Sequence, residues 1–173
     1  NKLTRAAGIV TTSSSGAVGI GTTIITGIST VGIAVSDLVD NTNFIAGTKV
    51  SAIGIGTVYA DRASTNEAAA SAQIFRFLGM TTAYTSAAAT KSILIGGTFA
   101  NNTESQVNLT VEIHDASAGI QAALASKVPV PNGSSFVISD AGKTILEATD
   151  EVRVFCDAAN AIDVNLSILT GVS

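Results

Sequence analysis

The chain has 173 residues, of which 46% are apolar and only 13% are charged, with a formal net charge of −4; a typical soluble domain carries about 25% charged residues. A surface this poor in charge argues against a freely diffusing monomer and for a chain much of whose surface is covered by neighbours. The nine Lys and Arg are scattered singly from Lys2 to Arg153 and Trp is absent, which excludes the basic stripe and stacking platform of a nucleic-acid binder.

Residues 1–15, NKLTRAAGIVTTSSS, are small and polar and end in a serine run. They predict an extended N-terminal arm with no core of its own. No compact apolar run follows Lys2 and Arg5, so no secretory signal is expected.

The stretch 16–35 carries no charge and is long enough to span a bilayer. It holds five Gly and four Thr but no Leu or Phe, a composition that reads as strands and turns, so no membrane partner is expected. Within it AVGIGT (17–22) returns as AIGIGT (52–57). A dinucleotide fingerprint needs G-x-G-x-x-G between a strand and a helix; here the spacing is reversed and a β-branched run follows. The echo predicts two strands that end in the same kind of hairpin turn.

Residues 16–73 predict a small β-module of short runs, TTIITGI (22–28), GIAVSDLV (32–39), TKVSAIGI (48–55) and TVYADRAS (57–64), with NTNF and AGT as turns. NEAAASAQIFRF (66–77) has helical composition behind a possible Asn66 cap, and a strand from Ala72 fits nearly as well.

Residues 74–173 carry the strongest strand signal. QVNLTVEIHD (106–115) and AIDVNLSIL (161–169) alternate apolar and polar without a fault, and SILIGGTF (92–99), SSFVIS (134–139) and EVRVFCD (151–157) add three runs. Turn sequences separate them about every ten residues, which predicts an antiparallel, jelly-roll-like β-sandwich. The expected fold class is therefore all-β: an arm (1–15), a β-module (16–73) and a sandwich (74–173).

Residues able to do chemistry are few. His114, the single histidine, lies beside Asp115 on the outward face of the cleanest strand, but no Gly-x-Ser-x-Gly elbow accompanies it. Gly142-Lys143-Thr144 lacks the first glycine of a Walker loop, since Val137 stands there. Asp37 with Asp40, and Asp150 with Glu151, lack the spacing of a calcium loop. Cys156, the sole cysteine, excludes an internal disulfide. Asn101, Asn108, Asn132 and Asn165 each begin an Asn-x-Ser/Thr triplet, as chance allows in so Asn- and Ser-rich a chain. No catalytic residue, metal site or cofactor is expected.

The segment GIAVSDLVDNTNFIAGTKVSAIGIGTVYADRAST resembles a short β-module found in structural proteins of tailed bacteriophages. Gly32, Val35, Leu38, Val39, Ile45, Gly47, Thr48, Val50 and Ile53 fall where that module's pattern places them, and Ser36 stands where it often has Gly. VNLTVEIHDASAG, KVPVPNGSSFVI, KTILEATDEVRV and DVNLSIL resemble a second piece common in virion proteins of marine and cyanobacterial phages. The resemblance implies a non-enzymatic virion protein and transfers no catalytic residues. The expectation is a capsid decoration or cement protein on the outer surface of a phage head. Its partners would be the major capsid protein or other virion proteins, and it would form a homo-oligomer, with a trimer favoured. Leu3, Ile9 and Val10 are the arm residues expected to be buried in assembly contacts. A tail-fibre or baseplate component for host recognition is the alternative, ahead of a glycan-cleaving enzyme or a cell-surface adhesin.

Overall fold

In the computed structural model the chain is described over residues 2–5, 10–139 and 143–172, with side chains from residue 14 onward. Every regular element among them is a β-strand, as the β-branched, Gly-punctuated sequence requires. The strands form two compact units, split after residue 79, with the first few residues joining the C-terminal one.

The unit of residues 10–79 contains β2 (Val10–Val18), β3 (Ile24–Thr26), β4 (Leu38–Asp40), β5 (Val50–Gly54), β6 (Thr57–Ala60) and β7 (Ala70–Leu78). They lie side by side in the order β4-β7-β2-β3-β6-β5. The two outer strands then meet. Ser36 N–H donates to the Val50 carbonyl (2.8 Å), Val50 N–H to Asp37 (2.8 Å) and Val39 N–H to Thr48 (2.9 Å), while Leu38 bridges Lys49. These bonds close the sheet into a small barrel, which leaves few edge groups without partners. Val18, Ile25, Val39, Phe44, Val50, Val58, Phe75 and Phe77 fill its interior, and the Phe44 and Phe75 rings meet edge-on at 6.4 Å. Burying each of these large side chains contributes about 1.5–3 kcal/mol.

The repeated AxGIGT behaves alike in both places. Each copy runs out of a strand into a hairpin turn, and its last glycine, Gly21 or Gly56, adopts a left-handed φ of 58° or 61°, which glycine accepts without a Cβ clash. Elsewhere one expectation is corrected and one open choice is decided. The serine run lies within β2, paired with β7 through Ser13↔Arg76, Ser14↔Phe75 and Ser15↔Ile74, so it is no free arm. Residues 70–78 are strand, not helix, because Phe75 and Phe77 alternate into the barrel while Ile74 and Arg76 face out. That strand ends the barrel unit, so the boundary lies beyond the expected residue 73.

The second unit contains β1 (Lys2–Arg5), β8 (Thr81–Thr85), β9 (Lys91–Asn101), β10 (Val107–Asp115), β11 (Ile120–Val130), β12 (Ser135–Ile138), β13 (Thr144–Leu146), β14 (Glu151–Cys156) and β15 (Ile162–Val172). One sheet runs β1-β15-β9-β12, with β13 also on β9; the other runs β11-β10-β14-β8. Leu94, Phe99, Val164 and Leu166 of the first and Leu109, Val111, Val152 and Val154 of the second share one core. This is an antiparallel sandwich. The strand order establishes the sandwich and not the finer jelly-roll expectation.

Asn101 fastens the sandwich's end. Its Nδ2 reaches the carbonyls of Ser105 (2.8 Å), Val130 (2.9 Å) and Pro131 (3.1 Å), and its Oδ1 accepts from Thr103 N–H (2.9 Å) and Oγ1 (2.8 Å). Replacing it by Ala strands several of these groups, so denaturant unfolding of Asn101→Ala should show a loss of about 2–3 kcal/mol. Ser36 sits at a left-handed φ of 78°, where an L side chain is strained. Ser36→Gly should raise stability by about 0.5–1 kcal/mol in the same measurement, and Ser36→Val should lower it.

Candidate functional site

Two surfaces stand out by their side chains, and both lie on outward sheet faces. On the sandwich, the register pairs His114 with Glu151 and Glu112 with Arg153 across β10 and β14. Alternation along these strands turns Val111, Val152 and Val154 into the core and leaves this polar set outside. Arg153 Nε donates to Glu151 Oε2 at 2.6 Å, and Thr82 Oγ1 approaches the same oxygen at 3.4 Å. His114 Nδ1 lies 3.9 Å from it, too far for a hydrogen bond, and that buried nitrogen has no partner.

The set does not assemble a relay. Asp115 is turned away from catalysis into its own loop: its Oδ1 accepts from the Ser117 hydroxyl (2.7 Å), Ser117 N–H (2.9 Å) and Ala118 N–H (2.9 Å). The Ser117 hydroxyl first, and the Ala118 N–H next, hold its carboxyl below the ordinary carboxylate value. The contribution of this turn is therefore present above the ordinary carboxylate range and lost as pH falls through the lowered value. No serine hydroxyl is hydrogen-bonded to His114 among the described residues. What the cluster does is tie β10, β14 and β8 together on their outer face, an effect worth about 0.2–1 kcal/mol per exposed pair.

The other carboxylates flagged by the sequence also serve the fold. Buried Asp150 accepts from Ala116 N–H (3.1 Å) and Glu147 N–H (2.9 Å), stitching two turns together. Asp37 accepts from Ala34 N–H (2.8 Å), and Asp40 lies 3.9 Å from Arg76. Among the described residues no group of three His, Cys, Asp or Glu is placed to hold a metal ion. A shallow groove of about 330 Å³ on the other sheet is lined by Gly96, Gly97, Thr98, Val137, Asn165 and Ser167 with Ile95 and Ile138. None of these can exchange a proton near neutral pH.

The second surface is apolar and belongs to the barrel. Ile24 of β3 stands directly opposite Tyr59 of β6, and Tyr59 opposite Ala52 of β5. All three face solvent, with Ile24 39% and Tyr59 38% exposed. They form one apolar row across three neighbouring strands. Ile20 and Ile55, the isoleucines of the two AxGIGT turns, are more exposed still, Ile55 completely so. No charged residue occurs between 16 and 36 or between 50 and 60. Sequence reading singled out neither Ile24 nor Tyr59; their signal is an uncharged, apolar residue at an outward position in each of several adjacent strands.

The arm residues fall partly in view. Leu3 pairs through its backbone with Asn165 in β1–β15, and Val10 pairs with Leu78 in β2–β7; Ile9 lies outside the described residues. No helix among the described residues is long and apolar enough to cross a membrane. The chain matches no protein-family model, no curated protein and no solved structure.

Cys156 is buried in the sandwich core, its Sγ 2.9 Å from the Ala158 carbonyl. Burial pushes its thiol above the ordinary value of 9.0. The thiol therefore stays protonated at neutral pH, and its packing contributes stability below the ordinary thiol range that is lost as pH rises through the raised value. Native protein should react with a thiol reagent at neutral pH far more slowly than protein in denaturant; equal rates would show that the site is open.

Proposed function

We propose that the chain is a non-enzymatic structural protein that works by docking on other protein surfaces, and that the assembly is a phage virion. The observation that carries this is the apolar row Ile24–Tyr59–Ala52 on the outside of a barrel whose interior is already filled. Single exposed apolar residues are ordinary, but a contiguous row with no charge on its strands marks a surface for another protein. Burying it would contribute about 25 cal/mol per Å², a driving force that needs none of the charges this chain lacks.

The virion, and within it the outer surface of the head, rests on the sequence resemblance of residues 32–65 and of the C-terminal stretches. In this reading the protein is a decoration or cement protein that covers joints between shell subunits. Its partners are the major capsid protein and copies of itself, with a trimer favoured. The backbone of Leu3 pairs with Asn165 in this arrangement, so the arm is held against the sandwich there. The barrel face supplies the docking surface.

Two measurements test the proposal. Immunogold labelling of intact virions with an antibody to this chain should put label over the heads; label confined to tail ends would move the assignment to host recognition, and unlabelled particles would contradict it. Ile24→Glu with Tyr59→Glu should abolish docking on shells that lack the protein. Thermal unfolding should change by less than about 1 kcal/mol, because both positions are on the surface. Retained binding by this variant would show that the barrel face is not the docking surface.

A further inference from the structure

Asn132 and Gly133 form the apex of the turn that carries the chain from β11 to β12, and they are the single Asn-Gly pair in the sequence. Both ends of that turn are held. Asn101 Nδ2 reaches the Pro131 carbonyl at 3.1 Å, and Asn101 N–H donates to the Ser134 carbonyl at 2.9 Å. Ser134 in turn points its N–H (3.3 Å) and hydroxyl (2.9 Å) at the Pro131 carbonyl. The apex itself is exposed. Among the described residues, neither the Asn132 side-chain amide nor the Gly133 N–H makes a hydrogen bond. Gly133 adopts a left-handed φ of 64°, and nothing lies within 4 Å of where a side chain would begin.

We propose that Asn132 is a site of spontaneous covalent modification in the folded protein. The Gly133 backbone nitrogen, after giving its proton to hydroxide, attacks Cγ of Asn132. A new N–Cγ bond closes a five-membered succinimide, the Cγ–Nδ2 bond breaks, and Nδ2 takes up a proton and leaves as ammonia. Water then adds to either ring carbonyl and opens the ring to aspartate or isoaspartate. No oxidant or cofactor is consumed.

The other asparagines are less suited. The side-chain nitrogens of Asn41, Asn66, Asn101 and Asn108 donate to Ile74, Ala68, Val130 and Asp157 respectively. Asn102, Asn160 and Asn165 are followed by Thr103, Ala161 and Leu166, whose side chains crowd the attacking nitrogen. Either product places a new carboxylate at the turn, and isoaspartate also lengthens the backbone between two fixed ends. The change is therefore felt at the Asn101 cluster that fastens the sandwich.

The test incubates the intact protein at neutral and mildly alkaline pH in water enriched in heavy oxygen, then digests it with trypsin. Cleavage after Lys127 and Lys143 releases a peptide in which Asn132 is the only asparagine. That peptide should gain the amide-to-acid mass with one heavy oxygen, in aspartyl and isoaspartyl forms. It should do so faster at the higher pH and ahead of every other Asn-containing peptide. Asn132→Gln, which would need a six-membered ring, should leave the peptide unmodified over the same period. A wild-type peptide that converts no faster than the others, or conversion of the Asn132→Gln peptide at the wild-type rate, would overturn the proposal.

Discussion

A chain built from strands must find a partner on another strand for nearly every backbone group it buries, and few of those partners are near in sequence. The two units meet this constraint differently. The barrel meets it by closure: Ser36, Val39 and Val50 join the ends of a six-stranded sheet. The sandwich uses long strands, and β9 pairs with β15 from Asn101 to Lys91. Closure has a consequence for function. With its edges used up, the barrel can offer a partner only its outward side chains, and on β3, β6 and β5 these include the apolar row Ile24, Tyr59 and Ala52.

The cost of closure is visible at Ser36. The turn that brings residues 36–39 beside 48–50 places this serine in a left-handed conformation, yet its N–H makes one of the closing bonds. The strain is held in place by the barrel it completes. Asn101 plays the equivalent part in the sandwich, where one side chain gathers backbone groups from two segments, residues 103–105 and the end of β11. In both units polar atoms that look idle in the sequence fix the geometry on which the apolar cores depend.

Much of the fold was legible in the sequence where burial is one-sided. β10 and β15 alternate because one face of each meets the sandwich core, and the strands follow the pattern residue by residue. β11 was missed because nearly all of it is exposed, so IQAALAS carries no alternation to read. The start of β2 falls within the expected arm because serine gives no periodic signal, and β7 reads nearly as well as a helix or as a strand because its alanines precede the two buried phenylalanines. Closure was not legible at all, since it is made by backbone groups. The repeated AxGIGT was read correctly as a shared turn, because glycine spacing reports directly on φ. The apolar row was invisible for another reason: Ile24 and Tyr59 are thirty-five residues apart, and only the pairing of β3 with β6 makes them neighbours.

The docking role proposed for the barrel requires that row to be covered by another subunit. Under the proposed virion role, a cryo-electron microscopy reconstruction of the particle decides this most directly. The expected result is the β3–β6–β5 face of the barrel seated on another protein subunit, with Ile24 and Tyr59 buried in the contact. A reconstruction in which that face points into solvent while other surfaces hold the protein in place would contradict it.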